Sequence, residues 1–183
     1  KIPVVYASSS SIYGNLRVGS DEKMSFNLIS PYAFDKLSLE FKAQTYYNTF
    51  NISSLGLRFF NVYGPRQDPL NPYSGVISIF VNQLLNSENI KIYGGEQTRD
   101  FIYVKDIIMC LISAMKKVQN SVMCDVINIG TGKQNSVNKL LVTLCKKIPN
   151  KSKILRLGYL KGDPKISNGS FKKINKLLNL NKN

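Results

Sequence analysis

Hydrophobic positions along this chain switch between two periods. Ile2 to Ala7 is an unbroken apolar, β-branched run, the pattern of a strand covered on both faces. From Pro31 to about Phe50 apolar residues recur at helical spacing, and Pro31 stands where a helix start loses nothing by lacking an N–H. Ser54 to Phe60 predicts a second buried strand, followed by a loop punctuated with Gly and Pro, Asn61 to Pro69. Helical spacing returns over Tyr73 to Ser87 through Val76, Ile79, Phe80 and Leu84. Ile90 to Tyr93 and Phe101 to Val104 read as short strands around a polar turn, Gly94 to Asp100. Asp106 is expected to cap a helix running to about Lys117. Val126 to Ile129 predicts a third buried strand, closed by Gly130-Thr131-Gly132, with a helix from Ser136 or Val137 to Lys147. Leu155 to Leu160 is expected to be extended, and Phe171 to Leu180 a last helix.

Strands alternating with helices predict right-handed crossovers and a mostly parallel sheet: an α/β chain with an inserted lobe between about Asn61 and Lys105. The 183 residues, 43% of them hydrophobic, suffice for a real core. No apolar run approaches the length of a membrane span. The opening Lys-Ile-Pro-Val-Val-Tyr-Ala is too short and too quickly polar for a signal peptide, so a cytoplasmic protein without a membrane partner is expected. Cys110, Cys124 and Cys145 are odd in number and irregularly spaced in apolar surroundings, which predicts buried free thiols and no metal site. With no histidine, imidazole catalysis, the usual zinc ligands and a Ser-His-Asp triad are excluded. The net charge of +14 comes from scattered lysines that thicken near Lys146 to Lys153 and Lys172 to Lys182, beside apolar helical faces. That is a solvated helix face rather than a nucleic-acid surface, and it suits attraction of a phosphorylated small molecule.

The candidate chemistry lies in Tyr32-Ala33-Phe34-Asp35-Lys36. Residues four apart share one helical face, so the Lys36 ammonium can sit beside the Tyr32 phenol. A phenol acts as a base at neutral pH only when neighbouring positive charge stabilises its phenolate. The hydroxyl-rich stretch Ser8-Ser9-Ser10-Ser11 follows the first strand, where ligands gather in open α/β sheets.

Five pieces occur in one order: Ser8-Ser9-Ser10-Ser11-Ile12-Tyr13-Gly14; Tyr32-x-x-x-Lys36; Leu57-Arg58-Phe59-Phe60-Asn61-Val62-Tyr63-Gly64-Pro65; Gly94 to Asp106 with Arg99-Asp100-Phe101-Ile102-Tyr103-Val104; and Gly162-Asp163. In this the chain resembles the extended short-chain dehydrogenase/reductase family, specifically its nucleotide-sugar epimerases and dehydratases. The resemblance runs almost from end to end and matches the C-terminal portion of such proteins. It implies the C-terminal part of a Rossmann-like doubly wound parallel sheet with a small α/β substrate-binding lobe. Residues 1–60 would belong to the NAD-binding domain and 61–183 mostly to the lobe, with 126–147 returning to the sheet. The Gly-rich pyrophosphate turn with which the family begins, Gly-x-Gly-x-x-Gly or Gly-x-x-Gly-x-x-Gly, is absent from these residues.

Carried over position by position, the resemblance implies Tyr32 as the base, Lys36 as its electrostatic and ribose-binding partner, and Ser9 as a hydrogen-bond donor to the same sugar oxygen. Phe59 backbone would face the nicotinamide of NAD. Ser10, Asn61, Gly75, Val76, Tyr93, Arg99, Asp163 and Ser167 would contact a UDP-sugar: Asn61 and Arg99 the diphosphate, Val76 backbone and the Tyr93 ring the uracil, and Asp163 the ribose. Family dehydratases place carboxylates where Ser10 and Ser11 stand, so C4 epimerisation is implied rather than elimination of water. The small Ser167 favours UDP-N-acetylglucosamine and UDP-N-acetylgalactosamine; UDP-glucose/galactose and UDP-glucuronate are the alternatives. Leu160 replaces a common diphosphate-binding Arg, and Arg156 is out of register with it. A homodimer paired through the Tyr32 helix is implied for a complete protein. The chain by itself is expected to be inactive, or an assembly partner, because it lacks the pyrophosphate turn.

Overall fold

A computed structural model describes residues 1–16, 25–71, 73–167 and 169–178. The chain runs through β1 (Val4–Ser9), a 3₁₀ turn (Ser10–Tyr13), α1 (Pro31–Phe50), β2 (Ser54–Phe59), β3 (Asn61–Tyr63) and α2 (Val76–Leu85). It continues through β4 (Ile90–Tyr93), β5 (Thr98–Arg99), β6 (Phe101–Tyr103), α3 (Val104–Gln119) and β7 (Cys124–Ile129). The last elements are β8 (Asn135–Ser136), α4 (Val137–Lys147), β9 (Ile154–Leu157) and α5 (Lys172–Leu178).

The sheet is parallel, in the order β1-β2-β7, with Ser9 opposite Phe59 and Phe59 opposite Ile129. Its three strands therefore end level. Because side chains alternate along a strand, β2 has two different faces. Leu55 and Leu57 join Ile127 and Ile129 of β7, Ile107, Cys110, Ala114 and Val118 of α3, and Ile174 and Leu178 of α5 in the main core. Arg58 reaches the other side, to Glu40 of α1. Gly56 lies against the Tyr6 ring, and a Cβ there would stand 2.6 Å from it.

Local signals start and stop α1 as its sequence requires. Ser30 Oγ accepts from Ala33 N–H at 3.2 Å, Pro31 opens the first turn, and Asn51 ends it in the left-handed region at φ 55°. The helix buries only Ala33, Leu37 and Glu40, a stripe at spacings of four and three. Its outward side is also apolar, with Phe34, Leu39, Phe41, Tyr46 and Phe50 exposed.

A second core holds Phe80 and Leu84 of α2, Ile90 and Ile92 of β4, and Val137 and Leu141 of α4. Thus β7 completes the sheet, whereas α4 packs in this second core. Three small pairings tie the lobe together: β4 with β9 and β3 with β6, both parallel, and β5 with β8, antiparallel.

Several expected boundaries move. The first strand runs Val4–Ser9 rather than Ile2 to Ala7, because the ladder with β2 continues through Ser8 and Ser9. The third helix begins at Val104, so Asp106 lies in its first turn instead of capping it, and the preceding strand ends at Tyr103. Only Val76–Leu85 of the segment 73–87 is helical, and the late extended stretch is Ile154–Leu157. The last helix covers Lys172–Leu178; Asn179 and Leu180 lie outside the described residues. All three cysteines are free thiols, but only Cys110 is buried, Cys124 and Cys145 being half-buried.

Burial and the nearby Asp106 carboxylate push the Cys110 thiol up to about 11. A thiol held protonated adds stability that is fully present below its unfolded pKa and is lost as pH rises through its folded value. Unfolding free energy is accordingly expected to decline between about pH 9 and pH 11, and iodoacetamide at pH 8 to label Cys124 and Cys145 before Cys110. Uniform labelling of the native protein would contradict this assignment. Glu40→Leu leaves Arg58 buried without its counter-charge and is expected to lower the unfolding free energy in urea by about 3–5 kcal/mol.

Candidate active site

The level strand ends form one wall of a cavity lined by Ser9, Ser10, Ser11, Phe59, Phe60, Asn61, Arg99, Asp163 and Ser167. Ser9 ends β1 and caps the 3₁₀ turn, its Oγ accepting from Ser11 N–H at 3.1 Å. Its own hydroxyl hydrogen is left to donate. A larger neighbouring cavity is lined by Gly75, Val76, Lys91, Tyr93, Gln97, Leu160 and Lys161. Asn61, Arg99 and Asp163 line both and stand at their junction.

The junction is held by fixed polar contacts. Asn61 donates from its backbone N at 2.9 Å and from Nδ2 at 3.1 Å to the Asp100 carbonyl. The buried Asp100 carboxylate accepts from Thr131 N, Thr131 Oγ1 and Gly132 N, which anchors the turn after β7. Arg99 Nη1 donates to the Thr98 and Pro164 carbonyls at 2.7 Å each, and Nη2 is ion-paired with Asp163. Gln97 donates to the Tyr93 carbonyl at 2.7 Å and reaches Asp163 at 3.4 Å. Backbone bonds from Thr98 N to Lys165 O and from Ser167 N to Thr98 O fasten the segment 163–167 across the opening.

Ten of the residues singled out from sequence therefore gather around the two cavities: Ser9, Ser10, Phe59, Asn61, Gly75, Val76, Tyr93, Arg99, Asp163 and Ser167. Tyr32 and Lys36 line neither cavity. Tyr32 is 55% exposed, and the Lys36 ammonium lies 5.5 Å from its ring centroid while donating to the Ala7 carbonyl at 3.1 Å. That bond ties the Tyr32-Lys36 face of α1 to the strand that carries Ser9.

Sequence reasoning passed over a buried network behind this wall. Arg58 Nε and Nη2 donate to the two oxygens of Glu40 at 2.9 and 2.7 Å, and Ser8 Oγ donates to Glu40 Oε1. Arg58 Nη1 donates to Tyr13 Oη at 2.7 Å, and Tyr13 Oη donates to Asn128 Oδ1 at 2.7 Å. Burial lowers the Arg58 pKa, but the Glu40 hydrogen bonds and charge together with Tyr13 outweigh it, so the net shift is upward. Two signals for this network lay in the sequence: a carboxylate on the inward stripe of α1, and an arginine inside an apolar strand.

A parallel sheet whose strand ends open onto paired cavities, with hydroxyls at one and a ring, lysines and a Gly-Val backbone at the other, defines an open-sheet α/β protein, a class in which ligands gather beyond the carboxyl ends of the strands. Residues 1–130 match the NAD dependent epimerase/dehydratase family, and the chain belongs to it. It is 39% identical over 140 residues to a putative UDP-glucose 4-epimerase of Methanocaldococcus jannaschii, covering 75% of this chain and 44% of that protein. It is similar in structure to UDP-N-acetylglucosamine 4-epimerase from Methanobrevibacter ruminantium M1 in complex with UDP-N-acetylmuramic acid. That match has a TM-score of 0.85 and 34% identity and covers 96% of this chain and 56% of the other. It is also similar to UDP-glucuronic acid 4-epimerase from Bacillus cereus in complex with UDP-glucuronic acid and NAD. There the TM-score is 0.86 and the identity 31%, over 96% of this chain and 55% of the other. The chain spans about half the length of these relatives.

The residues present fit one end of NAD. Ser9 and Phe59 end adjacent strands in register, and the Lys36 ammonium sits at the same end of β1, where a ribose hydroxyl would find a donor. No helix among the described residues is long and apolar enough to cross a membrane.

The Arg99–Asp163 pair is partly open to water, so Asp163→Ala is expected to change the unfolding free energy by less than about 1 kcal/mol. It should nevertheless loosen the strap, speeding amide exchange at Ser167 relative to Val126. Unchanged exchange at Ser167 would mean that the backbone bonds alone hold the segment.

Proposed function

We propose that this chain carries the catalytic and sugar-nucleotide-binding part of an NAD-dependent UDP-hexose 4-epimerase, acting on UDP-N-acetylglucosamine and UDP-N-acetylgalactosamine. The observation that carries the reading is the junction of the two cavities at Asn61, Arg99 and Asp163, with hydroxyls on one side and the Tyr93 ring on the other. A diphosphate between a sugar and a uridine matches that division.

In this reading Tyr32 Oη takes the proton of the sugar 4-hydroxyl and later returns it, while Ser9 Oγ donates a hydrogen bond to the same oxygen. Lys36 keeps a positive charge beside the Tyr32 ring and offers its ammonium to a ribose. Bound NAD supplies the acceptor for the C4 hydride and the donor for its return. The 4-keto sugar turns over in the smaller cavity and is reduced on its other face. Among the described residues lining that cavity the only carboxylate is Asp163, which Arg99 already neutralises, and this favours epimerisation over elimination of water. Ser167 lines the same cavity and supports the N-acetylated substrates by leaving room beside the sugar.

The exposed apolar side of α1, with Phe34, Phe41 and Phe50, supports pairing with a second copy through this helix. A different reading, an assembly partner inactive on its own, is favoured by one feature. Among the described residues β1 pairs only with β2, and Ile2 and Val4 on this free edge are exposed, as are Ile108, Met109, Ile112 and Met115 of α3.

Assay of the NAD-supplied protein with UDP-N-acetylglucosamine, UDP-glucose and UDP-glucuronate separates these readings. Interconversion of the N-acetylated pair is expected to be fastest, and Tyr32→Phe to lower kcat by about 10²–10⁴-fold. Normal turnover in that variant would refute the role of Tyr32, faster turnover of UDP-glucuronate the sugar assignment, and neither NAD binding nor turnover would favour the assembly partner.

A further inference from the structure

The network around Glu40 and Arg58 is not explained by stability. Both side chains are only 2% exposed, and a buried ion pair replaced by well-packed apolar residues is often neutral or stabilising, because desolvation offsets its attraction. What the pair does is join elements. Glu40 comes from α1, Arg58 from β2, Ser8 from β1, Tyr13 from the 3₁₀ turn and Asn128 from β7, and all five are buried.

Four of the five lie near a residue placed in the proposed reaction or line its cavity. Glu40 is one helical turn beyond Lys36 and two beyond Tyr32 on the same helix. Ser8 immediately precedes Ser9, Arg58 immediately precedes Phe59, and Tyr13 lines the smaller cavity. A further hydrogen bond between α1 and β1 is that of Lys36 to the Ala7 carbonyl, made by a flexible ammonium. The carboxylate of Glu40, held by three donors, is the stiff one.

We propose that Glu40 and Arg58 are positioning residues for the epimerase reaction. Their buried pair, through Ser8, sets the rotation and height of α1 over β1 and so fixes Tyr32 and Lys36 relative to Ser9. The inference rests on the proposed reaction, in which Tyr32 and Ser9 act on one sugar oxygen. A small displacement of either group is enough to slow such a step severely.

The test uses the NAD-bound protein, with the unsubstituted form as reference: if that form does not interconvert UDP-hexoses, the functional reading fails and not this inference. With activity established, the paired substitution E40L/R58M replaces the ion pair by apolar side chains, and Ser8→Ala cuts only the tie to β1. The expected result for E40L/R58M is a melting temperature near that of the reference, a KM within about twofold, and a kcat lower by tenfold or more. Ser8→Ala is expected to lower kcat about threefold or more with KM unchanged. Reference kcat in folded E40L/R58M, or a loss that appears only in step with a fall in melting temperature, would overturn the proposal. Should the pair fail to fold, Ser8→Ala decides, and an unaltered kcat there would overturn it equally.

Discussion

The ion pair between Glu40 and Arg58 is the constraint on which the arrangement of this chain depends. An arginine in the middle strand of a three-stranded sheet is costly to bury unless its donors find acceptors, and Glu40 and Tyr13 take three of its five N–H groups. Satisfying it obliges α1 to present a carboxylate at one height and the 3₁₀ turn to bring Tyr13 inward. The sheet thus has one apolar face, closed by α3 and α5, and one face on which a charged, hydrogen-bonded network stands beside a smaller apolar cluster of Ile12, Tyr13, Leu37 and Phe60. The first supplies cohesion and the second supplies register.

A comparable division governs the lobe. Its core is apolar and small, while its position relative to the sheet is set by polar ties: Asn61 to the Asp100 carbonyl, and the Asp100 carboxylate to the turn after β7. Arg99 and Asp163 then close the far side by pairing with each other. The two cavities meet at this polar seam. An anionic ligand spanning both must share Arg99 with Asp163, and Lys91 and Lys161 in the larger cavity carry positive charge with no ion-pair partner among the described residues.

Much of this was legible in the residues. The apolar runs placed β2 and α1 closely, because a short Leu- and Phe-rich stretch between polar loops and a Pro-opened periodic segment are strong local signals. Family membership followed from spaced motifs, which name residues without showing their geometry. Boundaries failed where tertiary hydrogen bonds decide them. Ser8 and Ser9 look like loop residues, yet pair with Arg58 and Phe59; Val104 and Lys105 look like strand or loop, yet begin α3. The Glu40–Arg58 network left two traces in the residues, a carboxylate on the inward stripe of α1 and an arginine inside an apolar strand, but the pairing of two charges 18 positions apart shows only once the sheet and helix are known to face each other. Sequence also paired Arg99 and Asp163 with a ligand, and not with each other, since their approach is created by the strap at 163–167.

In the proposed reaction α1 is held so that Tyr32 and Ser9 converge on one sugar oxygen. A crystal structure of the complete NAD-bound protein with UDP-N-acetylglucosamine measures this directly. Tyr32 Oη and Ser9 Oγ should each lie about 2.6–3.2 Å from the sugar O4, with the Glu40–Arg58 pair intact behind them. A sugar whose O4 contacts neither hydroxyl, with Tyr32 left facing solvent, would contradict it.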